Sequence, residues 1–212
     1  VAITTGYAHS LFLNSTGKVY ISGSSYFGQL GISDGGSIST PTEITTISNI
    51  VAISGGFYHS LFLDSTGKVY SCGRNDYGQL GRTTTSTLNG FLADSNIRQI
   101  TANINININI VAISAGWFYS LFLDSTGKVY GCGMNDYGQL GRTGDNLKFP
   151  ERITTIQDCN IVAINANGYH SHFISSSVQS QVNNTTIIPG SGIGGKYGDI
   201  DLSGSKGASG LV

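Results

Sequence analysis

The sequence predicts an all-β chain forming part of a β-propeller, and three observations carry that prediction. A segment of roughly thirty residues recurs in tandem. Each copy reads as short strands around a tight hairpin. The strands are apolar at successive positions, so both faces of each sheet need cover. "VAITTGYAHSLFLNSTGKVYISGSSYFGQLG" starts at Val1, "VAISGGFYHSLFLDSTGKVYSCGRNDYGQLG" at Val51 and "VAISAGWFYSLFLDSTGKVYGCGMNDYGQLG" at Val111. A fourth copy, "VAINANGYHSHFISSS", starts at Val162 and loses the pattern after Ser177. The starts lie 50, 60 and 51 residues apart.

Within a unit the first element is "VAIS", a short β-branched run suited to a strand. "SLFLD" and "KVYSCG" then flank "DSTG", in which Asp64 or Asp124 can cap the turn and Gly67 or Gly127 can accept a positive φ. A helix is a poor alternative, because Gly, Ser and Thr interrupt every 3.6-residue stripe. The connectors add "TPTEITTI" (40–47) and "FPERITTI" (149–156), each with a proline expected at the start of an outer edge strand. The second unit has its extra residues between Arg82 and Ile110.

The unit is thus a four-stranded antiparallel sheet of about 50 residues. Radially arranged blades cover such sheets on both sides, whereas β-solenoid coils run to only about 20–30 residues. Counted this way, the first unit lacks a proline-bearing strand and the fourth lacks the "GKVY…GQLG" portion. About three and a half blades occupy residues 1–177, an open arc with two uncovered end faces. Residues 178–212 form a Gly/Ser-rich C-terminal arm, expected to lie on a neighbouring molecule. Beginning at Val1, the sequence reads as a fragment or a processed product.

Composition narrows the function. With a formal charge of −1 and only 11% charged residues, the chain has no basic stripe for nucleic acid and no charge-rich disordered tail. No apolar run is long enough to span a membrane. Three cysteines without C-x-x-C spacing indicate neither a disulfide framework nor a zinc site. His9, His59 and His170 are equivalent, with Tyr119 in the third copy; that substitution breaks any metal set, and backbone-bonding histidines are the expectation. No nucleophile elbow or phosphate loop appears, so the chain reads as non-enzymatic, without cofactor or metal, and without a small-molecule ligand.

The segment "GGFYHSLFLDSTGKVYSCGRNDYGQLG" resembles the repeat of the regulator of chromosome condensation family: Gly-x-x-His-Ser, a leucine-bearing strand, a Gly-x-Val-Tyr hairpin and Gly-x-Asn-x-x-Gly-Gln-Leu-Gly. The resemblance implies a seven-bladed propeller, here partial. Relatives act in nucleotide exchange on the Ran GTPase, chromatin docking, ultraviolet-B sensing and protein interaction. Ultraviolet sensing fails, since only Trp117 matches the tryptophan-rich segments that role uses and Phe118 stands where arginine would.

The leading expectation is a protein–protein interaction or structural scaffold module, a component of a larger assembly such as a virus particle. Its partner is a protein or copies of itself completing the propeller. It is placed within the cell or a viral particle rather than outside. Exchange on a Ran-type GTPase or chromatin association is the alternative, with 83–110 as the positional candidate for a wedge. A carbohydrate-binding propeller is third, with Tyr7, Phe57, Trp117 and Tyr169 as stacking surfaces near the blade tips. Arg82 and Arg142, following "GQLG", are expected on an exposed rim as interface anchors, together with Trp117, Tyr7 and Phe57. In "TANINININIVAIS" strict alternation puts Ile104, Ile106 and Ile108 on one face, a candidate strand-pairing edge.

Overall fold

The recurring hairpin folds alike in each full copy. In the computed structural model, which describes residues 1–32, 36–102, 108–156, 159–176 and the backbone of 193–194, the Asp64 carboxylate closes its turn. One oxygen accepts from the Thr66 amide (2.8 Å), the Thr66 hydroxyl (2.7 Å) and the Lys68 amide (3.1 Å). Asp124 repeats this, and Asn14 does the same with its amide oxygen. Gly67 and Gly127 take positive φ (81° and 79°), as the turn chemistry requires.

These hairpins build four sheets. The first blade is β1 (Ala2–Thr5), β2 (His9–Leu13), β3 (Val19–Ser24) and β4 (Ser37–Ile44), in that order. The second holds β5 (Ile50–Gly55), β6 (His59–Asp64), β7 (Val69–Arg74), β8 (Thr87–Leu88) and β9 (Phe91–Gln99), with β9 between β7 and β8. The third is β10 (Ile110–Ala115), β11 (Tyr119–Asp124), β12 (Val129–Gly133) and β13 (Leu147–Arg152). The fourth has β14 (Ile161–Asn167) and β15 (His170–Ser175), with β16 (Ile193–Gly194) beside β15. All pairings are antiparallel.

Four expectations need correction. The first blade is complete, because "SISTPTEI" pairs with β3 of its own unit. Pro41 and Pro150 lie inside β4 and β13 rather than at their starts, within the stretches where the register shifts against β3 and β12. A bulged outermost strand tolerates a missing N–H there. The described part of the C-terminal arm lies on its own fourth blade. Ile193 and Gly194 pair with Ser171 and His170, as Cys72 and Gly73 pair with Ser60 and His59. Finally, Ile108 packs against the core between the second and third blades instead of forming an open edge, while Ile104 and Ile106 lie outside the described residues.

The core lies between the sheets. Leu11, Leu13, Val19, Ile21 and Leu30 of the first blade meet Phe62 and Cys72 of the second. The same positions one unit on, Leu61, Leu63 and Val69, meet Phe122 and Cys132, and Leu121, Leu123, Val129 and Leu140 meet Phe173. Identical sequence acquires different burial from this arrangement. "SLFLD" in β6 and β11 is buried at every position, whereas "SLFL" in β2 alternates buried and half-buried because only one side of that sheet is covered. Inner strands of all four blades line one cleft of about 660 Å³.

Candidate functional site: the aromatic face around the cleft

At one end of the cleft the loops entering β2, β6, β11 and β15 bring aromatic side chains together. Each loop leaves its inner strand through a glycine or asparagine and carries aromatic residues just before the His/Tyr-Ser pair. Adjacent blades lie close enough there for backbone bonds: Tyr7 N–H to Phe57 C=O (3.3 Å), Phe57 N–H to Trp117 C=O and Trp117 N–H to Gly168 C=O (both 3.2 Å). The rings follow. Tyr7 stacks on Phe57 with centroids 4.4 Å apart, Phe57 meets Trp117 at 5.2 Å, and Trp117 meets Tyr169 at 4.9 Å.

A second row comes from the segment ending in "GQLG". Phe27, Tyr77 and Tyr137 are equivalent, and each packs on the next blade: Phe27 on Tyr58 (4.5 Å), Tyr77 on Phe118 (5.4 Å), Tyr137 on Tyr169 (4.7 Å). Tyr169 thus belongs with Tyr58 and Phe118; Gly168, not Tyr169, takes the place of Phe57 and Trp117. Arg74 enters this sheet of rings with its guanidinium 4.2 Å from the Phe91 centroid and 5.3 Å from that of Phe27, while ion-paired to Asp76. Asp76 also accepts the Leu92 amide (2.9 Å), which ties the β8–β9 hairpin to the face.

The sequence-predicted residues divide. Tyr7 and Trp117 are exposed (66% and 41%), Phe57 is half-buried between them, and these three are contiguous. Arg142 is on the rim, paired to Glu151 at 2.6 Å. Arg82 is not on an exposed rim. Its guanidinium is held inside the second blade by Asp94 (2.9 Å) and the Ser71 carbonyl (2.9 Å). Burial lowers its pKa, and the Asp94 carboxylate opposes that shift. The wedge candidate within 83–110 is in part the β8–β9 hairpin, whose Asn89 amide donates to the Tyr26 carbonyl of the first blade (2.6 Å). Sequence reasoning missed the row of Phe27, Tyr77 and Tyr137 and the arginine between the rings. The signal was present as an aromatic residue recurring just before every Gly-Gln-Leu-Gly.

Beneath the face lie His9 and His59, which bond across blades rather than to nearby backbone, while their counterpart His170 is exposed. His9 Nε2 meets Ser60 Oγ (3.0 Å) and His59 Nε2 meets Ser120 Oγ (2.9 Å). Those hydroxyls donate to the Gln29 and Gln79 carbonyls (2.6 and 2.8 Å), so each imidazole N–H donates to the serine oxygen. The ring is therefore a neutral donor, the reverse of a general base activating a nucleophile. Burial holds His9 down to about 4; burial, with His9 nearby, holds His59 down to about 3. In the third blade the Tyr119 hydroxyl donates to the His170 carbonyl (2.5 Å) and lies 3.2 Å from Ser171 Oγ, whose own proton goes to the Gln139 carbonyl (2.7 Å). Among the described residues no group of His, Cys, Asp or Glu could hold a metal ion.

Comparison with known proteins reads the same units. The pattern described as "Regulator of chromosome condensation (RCC1) repeat" matches residues 16–63, 66–123 and 126–174, and a second pattern of that description matches 1–29, 50–79 and 110–139. The chain belongs to this family. No curated protein sequence matches this RCC1-repeat chain. Among solved structures it is similar to Prp20p of Saccharomyces cerevisiae, at 27% identity and a TM-score of 0.71, over 84% of this chain and 44% of that one. Yeast RCC1 (Prp20) bound to Kap60 matches at 27% identity and a TM-score of 0.71, over 84% of this chain and 42% of that one. Human WBSCR16, at 22% identity, shares the fold with a TM-score of 0.71, over 83% and 44% of the two chains. The RCC1-repeat chain therefore spans less than half the length of these structures.

Proposed function

We propose that the chain is a non-enzymatic protein-interaction module that presents the aromatic face to a protein partner within a larger assembly. The contiguous rings of Tyr7, Phe57 and Trp117, with Arg74 among the rings behind them, carry the reading. Aromatic residues and arginine are the types enriched where proteins meet, and preorganised rings lose little conformational freedom on binding. A glycan platform is less well supported, because Tyr7 stacks on Phe57 and the rings of Phe27 and Tyr137 tilt onto Tyr58 and Tyr169, which takes up aromatic surface a sugar would need. Buried Cys72 and Cys132, whose thiols burial pushes up, and the inverted His–Ser pairs offer no activated nucleophile.

A photo-crosslinking residue at Trp117 tests this in cells. The expected outcome is one defined protein adduct from position 117, absent from position 66 at a hairpin turn and lost in Tyr7→Ser. Equal labelling from both positions, or none from 117, would remove the reading. A second reading, exchange on a Ran-type GTPase, draws on the likeness to Prp20p, a protein studied for its binding to Gsp1p and histones. It requires faster nucleotide release from such a GTPase, with the β8–β9 hairpin as the part to delete.

A further inference from the structure

We infer that Tyr77, Phe118 and Tyr169, with the Asp136 carboxylate, form a binding site for the guanidinium of a partner's arginine. This rests on the protein-interaction reading and names the group that part of the aromatic face recognises.

The chain carries its own template for such a site. In the second blade the Arg74 guanidinium lies among four rings, 4.2 Å from the Phe91 centroid, 5.3 Å from Phe27, 5.5 Å from Phe118 and 5.9 Å from Tyr58. Its Nε is paired to the Asp76 carboxylate. Ring faces attract a guanidinium through their quadrupole, and the carboxylate supplies the counter-charge and a charge-assisted hydrogen bond. The frame suits a cation, and Arg74 shows which one.

One repeat further on, the same frame returns with no arginine of its own. Tyr77, Phe118 and Tyr169 stand where Phe27, Tyr58 and Phe118 stand around Arg74, and Asp136 takes the place of Asp76. Tyr77 and Phe118 have centroids 5.4 Å apart, and Phe118 and Tyr169 6.5 Å. Met134, at the position of Arg74, is buried and brings no charge. Asp136 is exposed and has no hydrogen-bond or ion-pair partner among the described residues. A carboxylate beside three rings is left with nothing to neutralise it.

The approach is open as well. Phe91 comes from the insertion of the second unit, whereas the third has only the short "TGDN" turn (143–146) before β13. A Cβ on Gly144 of that turn would meet only the Arg142 guanidinium, at 3.9 Å, among the described residues. Tyr77, Phe118 and Tyr169 are each partly exposed. Phe118 serves both sites, and Asp76 offsets the Arg74 charge on its other flank. Arginine fits better than lysine, because its planar, weakly hydrated head can lie on a ring and pair with a carboxylate at once.

An NMR titration of the 212-residue chain with acetyl-arginine amide reads the ring signals of Tyr77, Phe118 and Tyr169. Acetyl-citrulline amide has nearly the same shape without the charge, and acetyl-lysine amide has the charge without the plane. The arginine probe should shift these rings with a dissociation constant of about 1–10 mM, at least about fivefold tighter than either control. Asp136→Asn, checked for native melting, should weaken that binding at least about fivefold. Met134→Arg should build a second copy of the Arg74 arrangement and so abolish probe binding. Silence of the three rings, an equal response to citrulline or lysine, or unchanged binding in either variant would overturn the inference. The titration needs no partner and the Trp117 crosslink needs no probe, so either reading can fail while the other stands.

Discussion

His59 is the residue that most directly links sequence to behaviour. The unfolded chain's histidines titrate near 6.5, while burial holds His9 to about 4 and His59 to about 3. Above pH 6.5 both rings are neutral in both states, and the folded state keeps its full advantage. As the pH falls below 6.5 the unfolded chain takes up protons that the folded chain refuses, and stability declines until the folded-state values are reached. His9 alone contributes on the order of 3 kcal/mol to this acid loss. Urea unfolding at pH 7.5 and pH 4.5 should show a loss of at least that size. His59→Tyr copies the residue of the third blade, so it should retain the fold and shallow the pH dependence. An unchanged slope would mean that His59 is not buried neutral. That His9 would bond Ser60, and His59 Ser120, was invisible in the sequence, because "HS" at 9–10 and 59–60 reads as a local dipeptide. The histidine of one copy in fact bonds the serine of the next.

Among the elements, the hairpins were legible and the seams were not. "DSTG" states its turn through one carboxylate and one positive φ, both local. The seam glycines state theirs only through a neighbour. A Cβ on Gly56 would stand 2.2 Å from the His59 ring and 2.6 Å from the Gly116 carbonyl of the next blade. The His59 ring is itself buried and held by Ser120, and the carbonyl belongs to an inner loop whose Gly116 amide is bonded to Tyr119. Gly56→Ala should therefore destabilise by about 2–4 kcal/mol, read as a lower urea midpoint, whereas an Ala at Gly90, which has open space but φ of 83°, should cost about 1 kcal/mol. Equal costs at the two sites would refute the close approach. The prolines were misplaced for a related reason. Sequence marks Pro41 as an edge residue, but the shift that seats it depends on β3. Arg82 was placed on the rim because its partner, Asp94, lies across the insertion of the second unit.

For the molecule as a whole, the repeat period and the doubly apolar strands were enough to give radial blades. The aromatic face was not foreseen as a unit, since its rows alternate between two loops some twenty residues apart that only the ring arrangement brings together. The central claim is that contacts between blades hold the structure, and one sequence written three times supplies its own control. Native-state hydrogen exchange of the chain compares the amides of Leu11–Leu13, Leu61–Leu63 and Leu121–Leu123, which share the same residues and the same intrinsic rates. The β6 and β11 copies, covered on both faces, should exchange at least tenfold more slowly than the β2 copy, covered on one. Equal protection in all three would mean that each blade stands by its own hairpins and that the seams between blades add nothing.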